Sequence, residues 1–381
     1  MTAAAPLKDR TSDRLVEELA NRLRRRQVQG AQRAAVETFH VLRQVVARAR
    51  FSEIQELLDI VKSVGRRLVA AQPNEHSVGN IVRKFLHLIR EEGYASGKLV
   101  APQAATTSLS LADFIRLAPL RAQTHGTSAA TTRHANGMTG IHRDEDEDED
   151  DTEGGGSGDF KGLLMDSLRE ILDELETVYE NVAKNARDHV HADELVLTLG
   201  RSRTVAAFLG AAAHTRKFSA LVAEGAPRCA GNEGAADLVV AGVSAATVVP
   251  DSAVWALMPR VNKVLLGAHA VLADGGMLAP AGALLAAAAA RAHAVPVVVC
   301  AGQFKLTPRW GAAAGRDFGD PAAVLGFDEG ELVEKVDVLN PQWDYVPPGL
   351  IDVYITNYGD HAPSIIHRLI KDSYDDEDTD L

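Results

Sequence analysis

The chain has 381 residues, 46% of them hydrophobic, and a net charge of −12. That is enough for two domains, or for one large domain with an appendage. No run of 18 uncharged apolar residues occurs, so no membrane span is expected. The opening "MTAAAPLKDRTSDRL" has no apolar signal-peptide core. Two widely separated cysteines, Cys229 and Cys300, fit cytosolic usage rather than a disulfide framework.

The charge is concentrated. Nine acidic residues lie between Asp144 and Glu153, and six more between Asp372 and Asp380. Without those two runs the chain is close to neutral. Residues 1–100 are basic, with 18 Lys or Arg against 11 Asp or Glu.

Residues 12–95 read as helices. Leu15, Leu19 and Leu23 recur four apart, and Val36, Phe39, Leu42, Val45 and Val46 mark a second apolar face. Ser52 with Gln55 has the capping-box spacing ahead of Ile54, Leu57, Leu58, Val61 and Val64. After Pro73, a fourth helix turns Val78, Ile81, Val82, Phe85, Leu88 and Ile89 inward. The expected domains are therefore an all-helical unit over 1–100, a low-complexity acidic linker over 101–158, and an α/β unit over 159–381.

The third unit opens with a long amphipathic helix from Phe160. Short apolar runs follow at 195–199, 219–224, 245–250, 262–267, 295–300 and 351–357, with helical segments between most of them. That alternation predicts a Rossmann-like parallel sheet covered on both faces.

Three junctions could carry chemistry. In "LVLTLGRSRTVAAFL" a strand ends at Gly200 and a helix begins, so the helix start could hold an anion. The junction has one glycine where a dinucleotide fingerprint needs three, and Thr204 where a nucleophile elbow needs glycine. A tight turn with Ser202 as N-cap is the simpler reading. His269 follows a second strand, beside an Asp274-Gly275-Gly276 turn. The third junction is "ITNYGDHAPS", ahead of a helix opened by Pro363. His189 and His191 have no metal-ligand spacing around them, and neither a metal nor a cofactor is expected. The Arg22–Arg26 stretch lacks aromatic interleaving. A protein partner is favoured there over RNA, and a solvated face is the plain alternative.

The segments "AAQPNEHSVGNIVRKFLHLIREE", "LTLGRSRTVAAFL", "PRVNKVLLGAHAVLADGGML", "CAGQFKLTP", "WDYVPPGLIDVYITN" and "APSIIHRLIKDSY" together resemble the regulatory alpha, beta and delta subunits of translation initiation factor 2B. The FKLTP and DYVPP runs, and the acidic ending, point to the beta branch. The resemblance covers about residues 12–100 and 160–381, nearly everything except the linker. It implies a non-catalytic cytoplasmic subunit of a decameric guanine nucleotide exchange factor. The implied partners are sister alpha, delta, gamma and epsilon subunits, together with initiation factor 2 through its alpha subunit, whose phosphorylation is sensed. Neither a membrane nor a nucleic acid is implied.

The same fold is similar to sugar-phosphate isomerases, so an isomerase or a sugar-phosphate-binding protein is the alternative. Those enzymes use a cysteine, an aspartate and a phosphate-gripping arginine. The matching positions here are Gly200, His269 and Ala226. Glycine supplies no thiol, and histidine would act without a partner. The resemblance then makes Asn80, Arg83 and Lys84 candidates for contact with initiation factor 2. It makes Asp193, Leu195, Phe218, Leu221, Asn357, Tyr358 and His361 candidates for subunit interfaces.

Overall fold

A computed structural model describes residues 9–99, 155–311 and 317–381. The expected linker as far as residue 154, with its acidic run 144–153, lies outside the described residues.

Four helices build the N-terminal unit: α1 (Arg10–Arg24), α2 (Ala31–Arg48), α3 (Ile54–Ala71) and α4 (His76–Ala95). Their apolar stripes are those that the spacing predicts. Phe39, Leu42, Leu57, Leu68, Phe85 and Ile89 are all fully buried in one cluster. The Phe39 and Phe85 rings meet edge to face, with centroids 4.7 Å apart. Two details differ from expectation. On α1 the buried positions are Val16, Leu19, Ala20 and Leu23, while Leu15 is only half-buried. The capping partner of Ser52 is Glu56, not Gln55: Glu56 Oε2 accepts from the Ser52 amide at 2.9 Å. The helix starts at Ile54, one residue later than a Ser52 cap requires, and Gln55 turns to Asp59 instead.

A 29-residue helix, α5 (Gly155–Ala183), joins the two units. It begins inside the stretch expected to be linker. It also does not belong to the sheet unit alone. Phe160, Leu164, Leu168, Leu172, Leu175 and Val178 complete the helical core, and only Val182 enters the sheet core. The boundary expected at residue 159 therefore fails as a core boundary, because one amphipathic helix serves both cores.

The sheet has seven strands in the order β10-β9-β7-β4-β1-β2-β3. They are β1 (Leu195–Leu199), β2 (Ser219–Ala223), β3 (Ala245–Val249), β4 (Lys263–Gly267), β7 (Val297–Cys300), β9 (Val353–Thr356) and β10 (Gly359–His361). All neighbours are parallel except β10, which returns antiparallel along β9. Helices α6 (Arg203–Ala213) and α7 (Gly231–Val240) cover one face. Helices α8 (Ala283–Ala292) and α9 (Ile366–Ser373) cover the other. Alternate strand residues feed the two layers: Val196 and Leu265 point one way, Leu197 and Leu266 the other. Double coverage is why the strands read as unbroken apolar runs.

A second, antiparallel sheet of β5 (Ala270–Val271), β6 (Met277–Pro280) and β8 (Trp343–Val346) is absent from the sequence reading. Strands of two to four residues leave too short a pattern to detect.

At the α3–α4 crossing, a Cβ on Gly65 would overlap the Val82 side chain. Gly65→Leu should therefore destabilise the chain by about 1–3 kcal/mol through overpacking. Chemical denaturation would read this as a lower midpoint with an unchanged slope.

Candidate functional site

In an open parallel sheet, ligands sit at the C-terminal ends of the strands, where the order reverses. Here that region lies beyond β1, β2 and β4 and faces the helical unit. Several of its potential ligand groups are engaged within the chain.

At the end of β1, Gly200 adopts φ +60°, a left-handed turn suited to glycine. Its amide donates to the Ala223 carbonyl at 2.9 Å. Ser202 caps α6 as expected, accepting from the Val205 amide at 3.4 Å. Arg201 is turned away to Glu233 and Asp237 on α7, at 2.6 and 2.7 Å.

Beyond β2, the amides of Gly225 and Ala226 form a small anion cradle. The Asp251 carboxylate fills it, accepting at 3.0 and 2.7 Å. At α8 the Asp344 carboxylate accepts from the Gly282 and Leu284 amides, so that helix start is filled too.

His269, beyond β4, stacks on Trp343 with ring centroids 4.0 Å apart and planes at 11°. Its Nε2 lies 3.1 Å from the Asn74 carbonyl, which requires the proton on Nε2. His269 therefore pins the helical unit to the sheet unit. Nearby His76 is pulled down to about 3, first by burial and then by His269. Lys305 is also buried. Its Nζ donates to the Ala268 carbonyl at 2.6 Å, and burial pulls it down to about 8.

A cleft of about 660 Å³ remains between the units, lined by Arg24, Arg26, Arg228, His269, Asp317 and Trp343 among others. Arg24 and Arg26 pair with Glu17 and Asp317, so these two cations of the α1 end are matched within the chain.

The expected partner-contact residues take a different role. Asn80 and Arg83 are buried. Asn80 Nδ2 donates to the Phe304 carbonyl at 3.0 Å. Arg83 donates to the carbonyls of Asp378 and Thr379, each at 2.9 Å. Burial pulls Arg83 down to about 10, which leaves it cationic at neutral pH. Their sequence neighbours gave no sign of this, because the partners lie more than 220 residues away. Only Lys84 of the three is partly exposed.

The expected interface residues also divide. Phe218 and Leu221 are core residues of the two layers, so neither side chain is available to a partner. Asp193 is exposed at φ +62°, and Leu195 is half-buried. Asn357 is held by Glu174 at 2.6 Å and by the Gln303 amide at 2.8 Å. Tyr358 is 45% exposed. His361 is half-buried, and its Nε2 has no hydrogen-bond partner. The acidic ending, read as a tail, is docked. Asp378 is buried against Arg90 at 2.5 Å and Lys62 at 3.0 Å, and Asp375 meets Arg90 at 2.5 Å and His87 at 3.3 Å. Among the described residues, no group of His, Cys, Asp or Glu could hold a metal, and no helix is long and apolar enough to cross a membrane.

A family profile described as "Initiation factor 2 subunit family" matches residues 27–363. The chain is 38% identical to translation initiation factor eIF2B subunit beta of Schizosaccharomyces pombe, over 94% of this chain and 95% of that one. It is 36% identical to the subunit of the same name in Dictyostelium discoideum, over 93% and 94%. Its fold matches the crystal structure of eIF2B beta from Chaetomium thermophilum at TM-score 0.66 and 28% identity, covering 98% and 95% of the chains. It also matches 5-methylthioribose 1-phosphate isomerase from Pyrococcus horikoshii at TM-score 0.57, but at 16% identity, over 94% and 87% of the chains, which is a likeness of fold alone.

Two predictions follow from this geometry. Asp251→Ala should cost about 1–3 kcal/mol, because two amides lose a charged acceptor; a denaturation midpoint matching the original chain would contradict that. The second concerns pH. Burial alone would lower the pKa of His87, but Asp375 and Glu91 outweigh it and push it up to about 9. Protonated His87 therefore stabilises fully below its ordinary value of about 6.5, and the gain is lost as pH rises through about 9. The Tm difference between the original chain and His87→Gln should shrink between pH 6.5 and 10.

Proposed function

The chain belongs to the Initiation factor 2 subunit family, and we propose that it is a regulatory subunit of the guanine nucleotide exchange factor for translation initiation factor 2. It is not itself an enzyme. On this reading it joins sister alpha, delta, gamma and epsilon subunits in the cytoplasm. It helps bind the alpha subunit of initiation factor 2 and sense its phosphorylation.

The observation that carries the reading is that the amide cradle and the histidine at the strand ends are engaged within the chain. On the resemblance, Gly200 and Ala226 take the positions where an isomerase needs a thiol and an arginine. The amide cradle beside them holds Asp251, and His269 is committed to Trp343 and Asn74. A fold that keeps its shape and has spent its ligand groups on itself suits a scaffold. A Chaetomium thermophilum relative, 29% identical over 94% of each chain at TM-score 0.65, is described as part of a tetrameric eIF2B-beta2-delta2 complex, which supports assembly with sister subunits.

Asp193, Leu195, Asn357, Tyr358 and His361 remain proposed interface positions, at the entry to β1 and around the β9–β10 turn. With Asn80 and Arg83 internal, Lys84 is the one residue of that trio still offered to initiation factor 2.

The test is the native mass and composition of the complex that co-purifies with a tagged chain from its own cells. A large assembly containing the four sister subunits is expected. A lone homodimer would overturn the reading. So would turnover of methylthioribose 1-phosphate by the purified chain, for which no activity above buffer is expected.

A further inference from the structure

Four cationic side chains converge on one groove of the helical unit. Lys62 comes from α3, while Arg83, His87 and Arg90 follow one another down one face of α4 at spacings of four and three. All four touch the last seven residues of the chain, 375–381. Asp378 is the centre: its side chain has no exposure, and it meets Arg90 and Lys62 together. Asp375 is held by Arg90 and His87. Arg83 reads main chain instead, donating Nε to the Asp378 carbonyl and Nη2 to the Thr379 carbonyl. Leu381 packs against the edge of the helical core.

These contacts form a peptide-recognition set. It has a deep pocket for one carboxylate, a second carboxylate three residues earlier, two main-chain carbonyls read by a guanidinium, and an apolar end. The covalent anchor ends just before it. Tyr374 is buried in the sheet core, with its hydroxyl donating to the Leu306 carbonyl at 2.9 Å. Beyond that point the seven residues are held by the groove, by their tether and by one exposed pair of Asp376 with Lys371 on α9, 3.8 Å apart.

We propose that the groove between α3 and α4 is a binding site for acidic peptides, and that residues 375–381 are its resident ligand, bound in cis. The proposal is independent of the functional reading above. Tethering gives the resident a high effective concentration, so a free peptide reaches the groove only when the resident is weakened.

The test uses the full-length chain and a fluorescein-labelled synthetic peptide of residues 375–381. In an Asp375→Asn/Asp378→Asn chain the resident is weakened and the groove is intact. Fluorescence anisotropy should show the peptide binding this variant at least tenfold more tightly than the original chain. Adding Arg90→Met to the variant should cancel that gain, and a peptide carrying Asp378→Asn should bind at least tenfold more weakly. Equal binding to variant and original chain, or equal binding of the two peptides, would overturn the proposal. If the variant does not fold, carboxypeptidase digestion of the original chain decides. Removal of residues 381 to 375 should be at least tenfold slower than from the free peptide, and equal rates would refute the groove as a site.

Discussion

The arrangement of this chain depends on burying the cations of α4. Arg83 and Arg90 are 4% and 6% exposed. A guanidinium keeps its charge, so burial is tolerable only where every donor finds an acceptor. The helical unit does not supply those acceptors for Arg83 and Arg90 by itself. Apart from Asn80 beside Arg83, the acceptors recorded for them are carboxylates and carbonyls of residues 375–379. The first unit of the chain thus carries a demand that only its last residues meet. Removing either side alone would leave a buried charge unpaired, so the docked ending acts as a structural closure of the two units.

The other inter-unit contacts reinforce that closure. Asn80 reaches the Phe304 carbonyl, and His269 reaches the Asn74 carbonyl. Helix α5 carries apolar residues from one core into the other. Contacts at both ends of α4, together with a shared helix, leave little freedom for one unit to hinge against the other.

What could be read from the sequence divides along a physical line. Elements with a sustained period were legible. The four apolar stripes, six of the seven main-sheet strands and the Ser202 cap match the structure closely, because each rests on local spacing; the three-residue β10, in a stretch read as a turn, does not show a period. The short strands β5, β6 and β8 have too few residues to show a period. The interface of α4 was hidden for another reason. The stripe of Arg83, His87 and Arg90 is visible in the sequence, but polar residues on a helix face ordinarily signal solvent. Its burial follows from an acidic segment some 290 residues away, which alone reads as a solvated tail. The two charge patterns were complementary, and pairing them was the available signal. Phe218 and Leu221 erred in the opposite sense: both are apolar strand positions, and the sheet's double coverage makes such positions core.

The crevice at the strand ends follows the same logic of internal satisfaction. A sheet of this topology delivers free amides to its strand ends whatever its function, because they arise from turn geometry. An enzyme leaves them open for substrate and accepts the cost of unpaired donors until it binds. Here Asp251 and Asp344 close two such sets of donors. Arg201 pairs with α7 rather than facing the turn. Each closure removes a ligand group and stiffens a loop in one step. Stiff loops on a sheet whose margins stay partly exposed, as at Asp193 and Tyr358, offer fixed surfaces rather than a reactive pocket, and fixed surfaces are what a subunit of a larger assembly requires.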